Sequence, residues 1–216
     1  MMDADSSSAT VERLDHATEE LVRLAVVIAV GTEEELRAAM QRVSREPVNP
    51  EWIEELVLQT YLFAGFPRAL NAAREWRRAS ARPAPPSDDG VTAHQVEEWR
   101  RRGERTCALV YGDMYERLRA NVRQLHPALD AWMVVEGYGK VLSRAGLDLA
   151  RRELCIVATC AALDQERQLH SHLHGALHAG APPGYITVAL TLGASRLPDE
   201  RRRRYAQLWS RVRGTS

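Results

Sequence analysis

Residues 152–186 read RELCIVATCAALDQERQLHSHLHGALHAGAPPGYI. An acid, Glu153, precedes a run of small and apolar residues from Leu154 to Leu163. The polar turn Asp164, Gln165, Glu166 leads into a second segment with His170, His172, His174 and His178, closed by Pro182, Pro183 and Gly184. Small-apolar runs bounded by such breaks predict two consecutive helices. An acid and an imidazole on adjacent helices can form a proton-transfer pair.

Working outward, the same grammar holds. Leu21, Leu24, Ala25, Ile28 and Ala29 recur at three- and four-residue steps from Thr18 onward. Thr32 followed by Glu35 is a capping-box signature for a helix over about 33–45. Asn49-Pro50 is a cap and first turn for a helix over 51–63, and a Gly-Pro break at 65–67 precedes another. Residues 80–90, SARPAPPSDDG, form the clearest linker. Beyond it come a charged helix (93–106), a mixed segment, a helix starting at His126-Pro127, and a loop at 143–146. Helical patterns over 185–193 and 199–212 complete the chain, with no alternating strand of useful length. The expected fold is all-α, a helical bundle.

The bulk numbers narrow the function. The 216 residues are 45% hydrophobic and 27% charged, with zero formal net charge, so no global field draws the protein to nucleic acid or a membrane. The run Arg201–Arg204 reads as a solvated helix face rather than a phosphate patch. Apolar runs fall short of the ~20 residues that span a bilayer. The polar first ten residues, expected to fray, lack a signal-peptide pattern, and a cytoplasmic location is expected. Cys107, Cys155 and Cys160 are too few and too scattered for a disulfide framework and read as small core residues.

An internal repeat organises the chain. Shifting residues 20–53 by 133 places Glu20 on Glu153, Leu21 on Leu154, Glu33 on Glu166, Pro50 on Pro183 and Ile53 on Ile186, without a gap. Two diverged copies of one helical unit are expected: residues 1–79, a linker over 80–92, and 93–216.

The segments RRGERTCALVYGDMYERLRAN (101–121), GYGKVLSRAGLDLARREL (137–154), QLHSHLHGALHAG (168–180) and LVLQTYLFAGFPRALNAAREW (56–76) carry a resemblance. Together they are similar to the carboxymuconolactone decarboxylase family, within the alkylhydroperoxidase D-like superfamily. The resemblance implies a helical subunit that forms a homo-oligomer, takes a small carboxylated or lactone substrate, and needs no metal or organic cofactor. In the peroxidase branch a Cys-x-x-Cys pair stands between the acid and the histidine; the matching positions here are Gln165 and Gln168, so disulfide-peroxidase chemistry is not expected. Each copy lacks part of the family's site. The first has Ala39 where the second has His172, and the second lacks the AGFP segment of the first. A composite site between copies or subunits is one expectation; a non-catalytic relative is the other.

The candidate catalytic residues are Glu153 and His172, with Arg152, Gly65, Phe66, Pro67 and Gln168 as candidate substrate-binding residues. Burial penalises a carboxylate's charge and so suits Glu153 to exchanging a proton, whereas a purely structural Glu153 would complement the helix dipole from the first turn. His170, His174 and His178 share a stripe at four-residue spacing that could in principle bind a metal, but no cysteine or aspartate stands near to complete it, and no metal is expected.

Overall fold

The computed structural model describes residues 13–86 and 92–214, and every regular element among them is helical. The N-terminal ten residues and the 87–91 part of the linker lie outside the described residues, while 81–86 run without regular structure. Among the described residues no helix is long and apolar enough to cross a membrane.

The first four helices are α1 (His16–Val30), α2 (Glu33–Val43), α3 (Pro50–Ala64) and α4 (Phe66–Ser80). Their starts follow from capping chemistry. Thr18 N donates to Asp15 Oδ1 at α1, Thr32 and Glu35 satisfy each other's backbone at α2, and Glu51 N donates to Asn49 Oδ1 ahead of Pro50 at α3. Gly65 joins α3 to α4 at φ 86°, a conformation that costs glycine little and any other residue much more.

The charged stretch after the linker extends further than its charge pattern implies. Helix α5 runs over Ala93–Tyr111 because Cys107 and Val110 continue its buried face. A 3₁₀ turn (Gly112–Met114) leads to α6 (Tyr115–Leu125), and α7 (Pro127–Trp132) continues as a π-helix over Met133–Leu142. This π segment crosses α5 at backbone contact. A Cβ at Gly103 or Gly139 would lie 2.0 Å from the carbonyl oxygen of Val134 or Trp99.

The last four helices are α8 (Leu149–Ala162), α9 (Glu166–His178), α10 (Pro183–Gly193) and α11 (Asp199–Gly214). Starts at 16, 33, 50 and 66 are matched by starts at 149, 166, 183 and 199, so one constant spacing of 133 residues relates four helices to four. Asp148 caps α8 as Asp15 caps α1. Helix α1 packs on α8, and each also meets the other's third helix, α1 on α10 and α8 on α3. Arg151 Nε donates to Thr18 Oγ1 at 2.8 Å, a contact between the same position of the two copies. A residue that touches its own counterpart lies beside the axis relating the copies, which makes the arrangement pseudo-twofold. Leu21, Ile28, Ile53, Leu154, Ile156 and Ile186 from both copies belong to one continuous core. Each such side chain contributes about 1.5–3 kcal/mol on burial.

Candidate active site

Glu153 stands in the second turn of α8 and is 0% exposed; His172, on α9, is 4% exposed. Their Oε2 and Nδ1 atoms are 2.8 Å apart. With the carboxylate ionised, Nδ1–H donates to it and Nε2 is the nitrogen left for a ligand. A helix-dipole role does not explain Glu153, because the dipole's effect fades beyond the first turn. Space for the carboxylate comes from Gly175, where a Cβ would fall 2.8 Å from Glu153 Oε2. The second oxygen, Oε1, is buried with no hydrogen-bond partner. Leaving a buried acceptor unpaired costs about 1–3 kcal/mol, so this pair is held in place by its surroundings rather than by saturation.

His172 lines a cavity of about 410 Å³. Helix α3 supplies Leu62 and Phe63, α5 supplies Tyr111, and α6 supplies Leu118 and Val122. Met133, Gly137, Tyr138 and Leu142 come from the π segment; Arg167, Gln168 and Ser171 come from α9. The π winding explains that set. Its wider turn brings residues about four to five apart onto one face, whereas α winding would turn Met133 and Leu142 to opposite sides. Phe63 meets His172 edge to face at 5.4 Å between centroids. Tyr111 and Tyr138 meet at 6.1 Å, also edge to face. Burial pushes the Tyr111 phenol up to about 12, against smaller opposing effects of the Tyr138 and Ser171 hydroxyls. Burial likewise holds the Tyr138 phenol well above its ordinary range. Both hydroxyls therefore keep their protons near neutral pH and serve as donors.

The structure brings Glu153 and His172 together and puts Gln168 on the cavity wall beside His172. It does not bring Arg152 there. That guanidinium is 0% exposed and spent within the core, donating to Glu55 Oε2 at 2.7 Å, Leu147 O at 3.0 Å, Arg144 O at 3.1 Å and Gln59 Oε1 at 3.3 Å. With no donor on the cavity, Arg152 is a strut between α3 and α8 rather than a substrate ligand. Gly65, Phe66 and Pro67 also miss the cavity. Phe66 is 63% exposed and stacks on Tyr61, and the first copy reaches the cavity two to three residues earlier, through Leu62 and Phe63. Sequence inspection passed over Tyr111, Tyr138, Ser171 and Phe63. Ser171 had a signal, since it directly precedes His172 and lies one helical turn after Gln168. The tyrosines had none, because their approach depends on the α5 crossing and the π winding.

The remaining chemistry-bearing groups stand apart. His170 and His174 are 5.0 Å apart between ring centroids, and His174 and His178 are 6.4 Å apart. His178 Nδ1 lies 2.9 Å from Val110 O, and among the described residues no group of three potential ligands is placed to hold a metal ion. All three cysteines are unpaired and buried; burial pushes the Cys107 and Cys155 thiols up to about 12 and the Cys160 thiol higher still. A thiol so raised is not a nucleophile at neutral pH.

The first copy's counterpart of this site has been rebuilt. Glu20, the equivalent of Glu153, is buried but ion-paired with Arg42, the equivalent of Gly175. Ala39 stands where His172 does. One copy thus presents a Glu–His pair to a cavity, and in the other the equivalent acid stands in an ion pair with Arg42.

These features define a class: an all-helical tandem repeat with one intact acid–imidazole pair and no accessible thiol. Two segments, residues 1–78 and 127–206, match the model of the Carboxymuconolactone decarboxylase family, and the chain belongs to that family. The segment 101–121, counted above toward the resemblance, falls outside both matched segments although its Tyr111 reaches the cavity. No curated protein matches the chain.

Proposed function

We propose that the protein is a cofactor-independent, decarboxylase-like enzyme that acts by acid–base chemistry on a small carboxylated or lactone substrate. The observation that carries this reading is the buried Glu153–His172 pair, 2.8 Å apart, with His172 on the wall of the 410 Å³ cavity. Loss of carbon dioxide leaves a carbanion or dienolate that must be stabilised and then protonated. His172, protonated, presents Nε2–H to the developing oxyanion, its charge balanced by Glu153 behind it. The proton passes from Nε2 to the carbanion and is replaced there through the cavity, while Glu153 holds Nδ1 and balances the charge of the imidazolium. Apolar walls from Leu62, Phe63, Leu118, Val122, Met133 and Leu142 disfavour a substrate carboxylate relative to neutral carbon dioxide.

The runner-up is a helical binding protein without catalysis. It is favoured by the burial of Arg152, which leaves Arg167 as the one cation among the described residues lining the cavity. Exposed Leu58, Phe66, Leu70, Leu129 and Trp132 support a homo-oligomer, and three unpaired thiols are in keeping with a reducing compartment such as the cytoplasm. A panel of small carboxylated lactones, assayed for carbon dioxide release, separates the two readings. The enzyme reading expects turnover that His172→Ala abolishes while helical circular dichroism is unchanged. Binding without turnover across the panel would select the runner-up.

A further inference from the structure

A second cavity, of about 340 Å³, lies behind Leu142, whose side chain lines both cavities. Its polar wall is cationic: Arg102 and Arg105 from α5 and Arg144 from the turn before α8, beside the Thr106 hydroxyl. The Nε of Arg102 is buried and has no hydrogen-bond partner. The nearest carboxylate, Glu98, is 3.8 Å from it and is bonded to Arg101 at 2.6 Å. Arg105 forms no ion pair or hydrogen bond among the described residues. Arg144 gives its Nε to both Glu55 oxygens at 2.9 and 3.0 Å, leaving its two terminal amino groups without a partner. Asp148 is the acid on this wall; it caps α8 and pairs with Arg151 at 2.7 Å.

Arg102 Nε is enclosed by protein, while the side chain as a whole is 34% exposed on the cavity wall. Three guanidinium groups line this cavity against one wall carboxylate, Asp148, a surplus of positive charge that a bound anion offsets. The start of α8, at Leu149 on the same wall, adds partial positive charge. A carboxylate offers two oxygens and one charge. A phosphate group offers more acceptors and close to two charges, the better match to three planar, fork-shaped donors. We infer that the Arg102–Arg105–Arg144 cavity binds a phosphate-class oxyanion, either free phosphate or a phosphomonoester. The site is separate from the Glu153–His172 pair and does not depend on the reaction that pair performs.

Isothermal titration of the full chain with inorganic phosphate, at constant ionic strength in chloride, tests this. The wild-type protein should bind one phosphate per chain, and the exposed-site variant Arg105→Glu should weaken binding at least tenfold. Arg102→Met, checked by circular dichroism, should do the same, whereas Arg203→Glu on the distant basic run of α11 should leave affinity unchanged. A parallel titration with a phenyl phosphomonoester identifies the source: tighter binding than phosphate marks a phosphorylated small molecule, equal or weaker binding marks the free ion. No binding by the wild type, equal affinity in Arg105→Glu, or equal loss in Arg203→Glu would overturn the assignment.

Discussion

At the scale of single residues the account turns on what stands beside two equivalent acids. Gly175 gives Glu153 room to reach His172; Arg42 at the equivalent place captures Glu20 instead. A Cβ at position 175 would sit 2.7 Å from Val110 Cγ1 and 2.8 Å from Glu153 Oε2. The carboxylate is the softer neighbour, so Gly175→Ala is expected to push Glu153 off His172. Alanine's better helix propensity, worth about 1 kcal/mol, offsets much of the strain. Turnover should therefore fall at least tenfold with the melting temperature nearly unchanged; full activity would show that the close approach is dispensable. Glu153 and His172 were legible in the sequence because local spacing places them on neighbouring helices. Arg152 misled for a related reason. Adjacency along a helix says nothing about which face a side chain takes, and at 100° per residue Arg152 points into the α3 contact instead.

At the scale of elements, α5, α6, α7 and the π segment form the unit that roofs the cavity. The start of α5 and the helix from His126-Pro127 were readable, whereas α6 lay in a stretch read only as mixed. The π winding was not readable, because nothing in MVVEGYGKVL distinguishes π from α turns. Helices α6 and α7 are clamped by Asp130, which accepts from Arg119 Nη2 at 3.0 Å and Arg123 Nη2 at 2.9 Å. The Arg119 hydrogen bond, with help from Arg123, holds the Asp130 carboxyl below its ordinary value, outweighing the opposing effect of burial. A lowered folded value means that the stabilisation is complete above the unfolded carboxyl's value of about 3.9 and is lost as pH falls through the folded one. Thermal melts from pH 5 down to pH 2 should fall less steeply for Asp130→Asn than for the wild type. Parallel curves would mean that Asp130 contributes nothing to the acid limb.

At the scale of the whole molecule, two copies share one core around a pseudo-twofold axis, and the cavity takes walls from both. The duplication was legible because the proline break and the acid recur without a gap; which residues of the first copy reach the second was not, since that depends on how α3 meets α8. Their join is polar and buried, with Glu55 and Gln59 on one side and Arg152 on the other. Arg152→Met leaves Glu55 buried with Arg144 alone, and chemical denaturation should show a loss of about 3 kcal/mol. A loss under about 1 kcal/mol would mean that the copies are held together by apolar packing alone. The central claim is that Glu153 and His172 act as one proton-transfer unit. It is tested most directly by a double-mutant cycle on kcat/KM for carbon dioxide release, using Glu153→Gln, His172→Ala and the pair. Each single change should lower kcat/KM by about 100-fold or more, and the double variant should fall no further than the worse single. Wild-type rates in either single variant, or losses that multiply in the double, would contradict it.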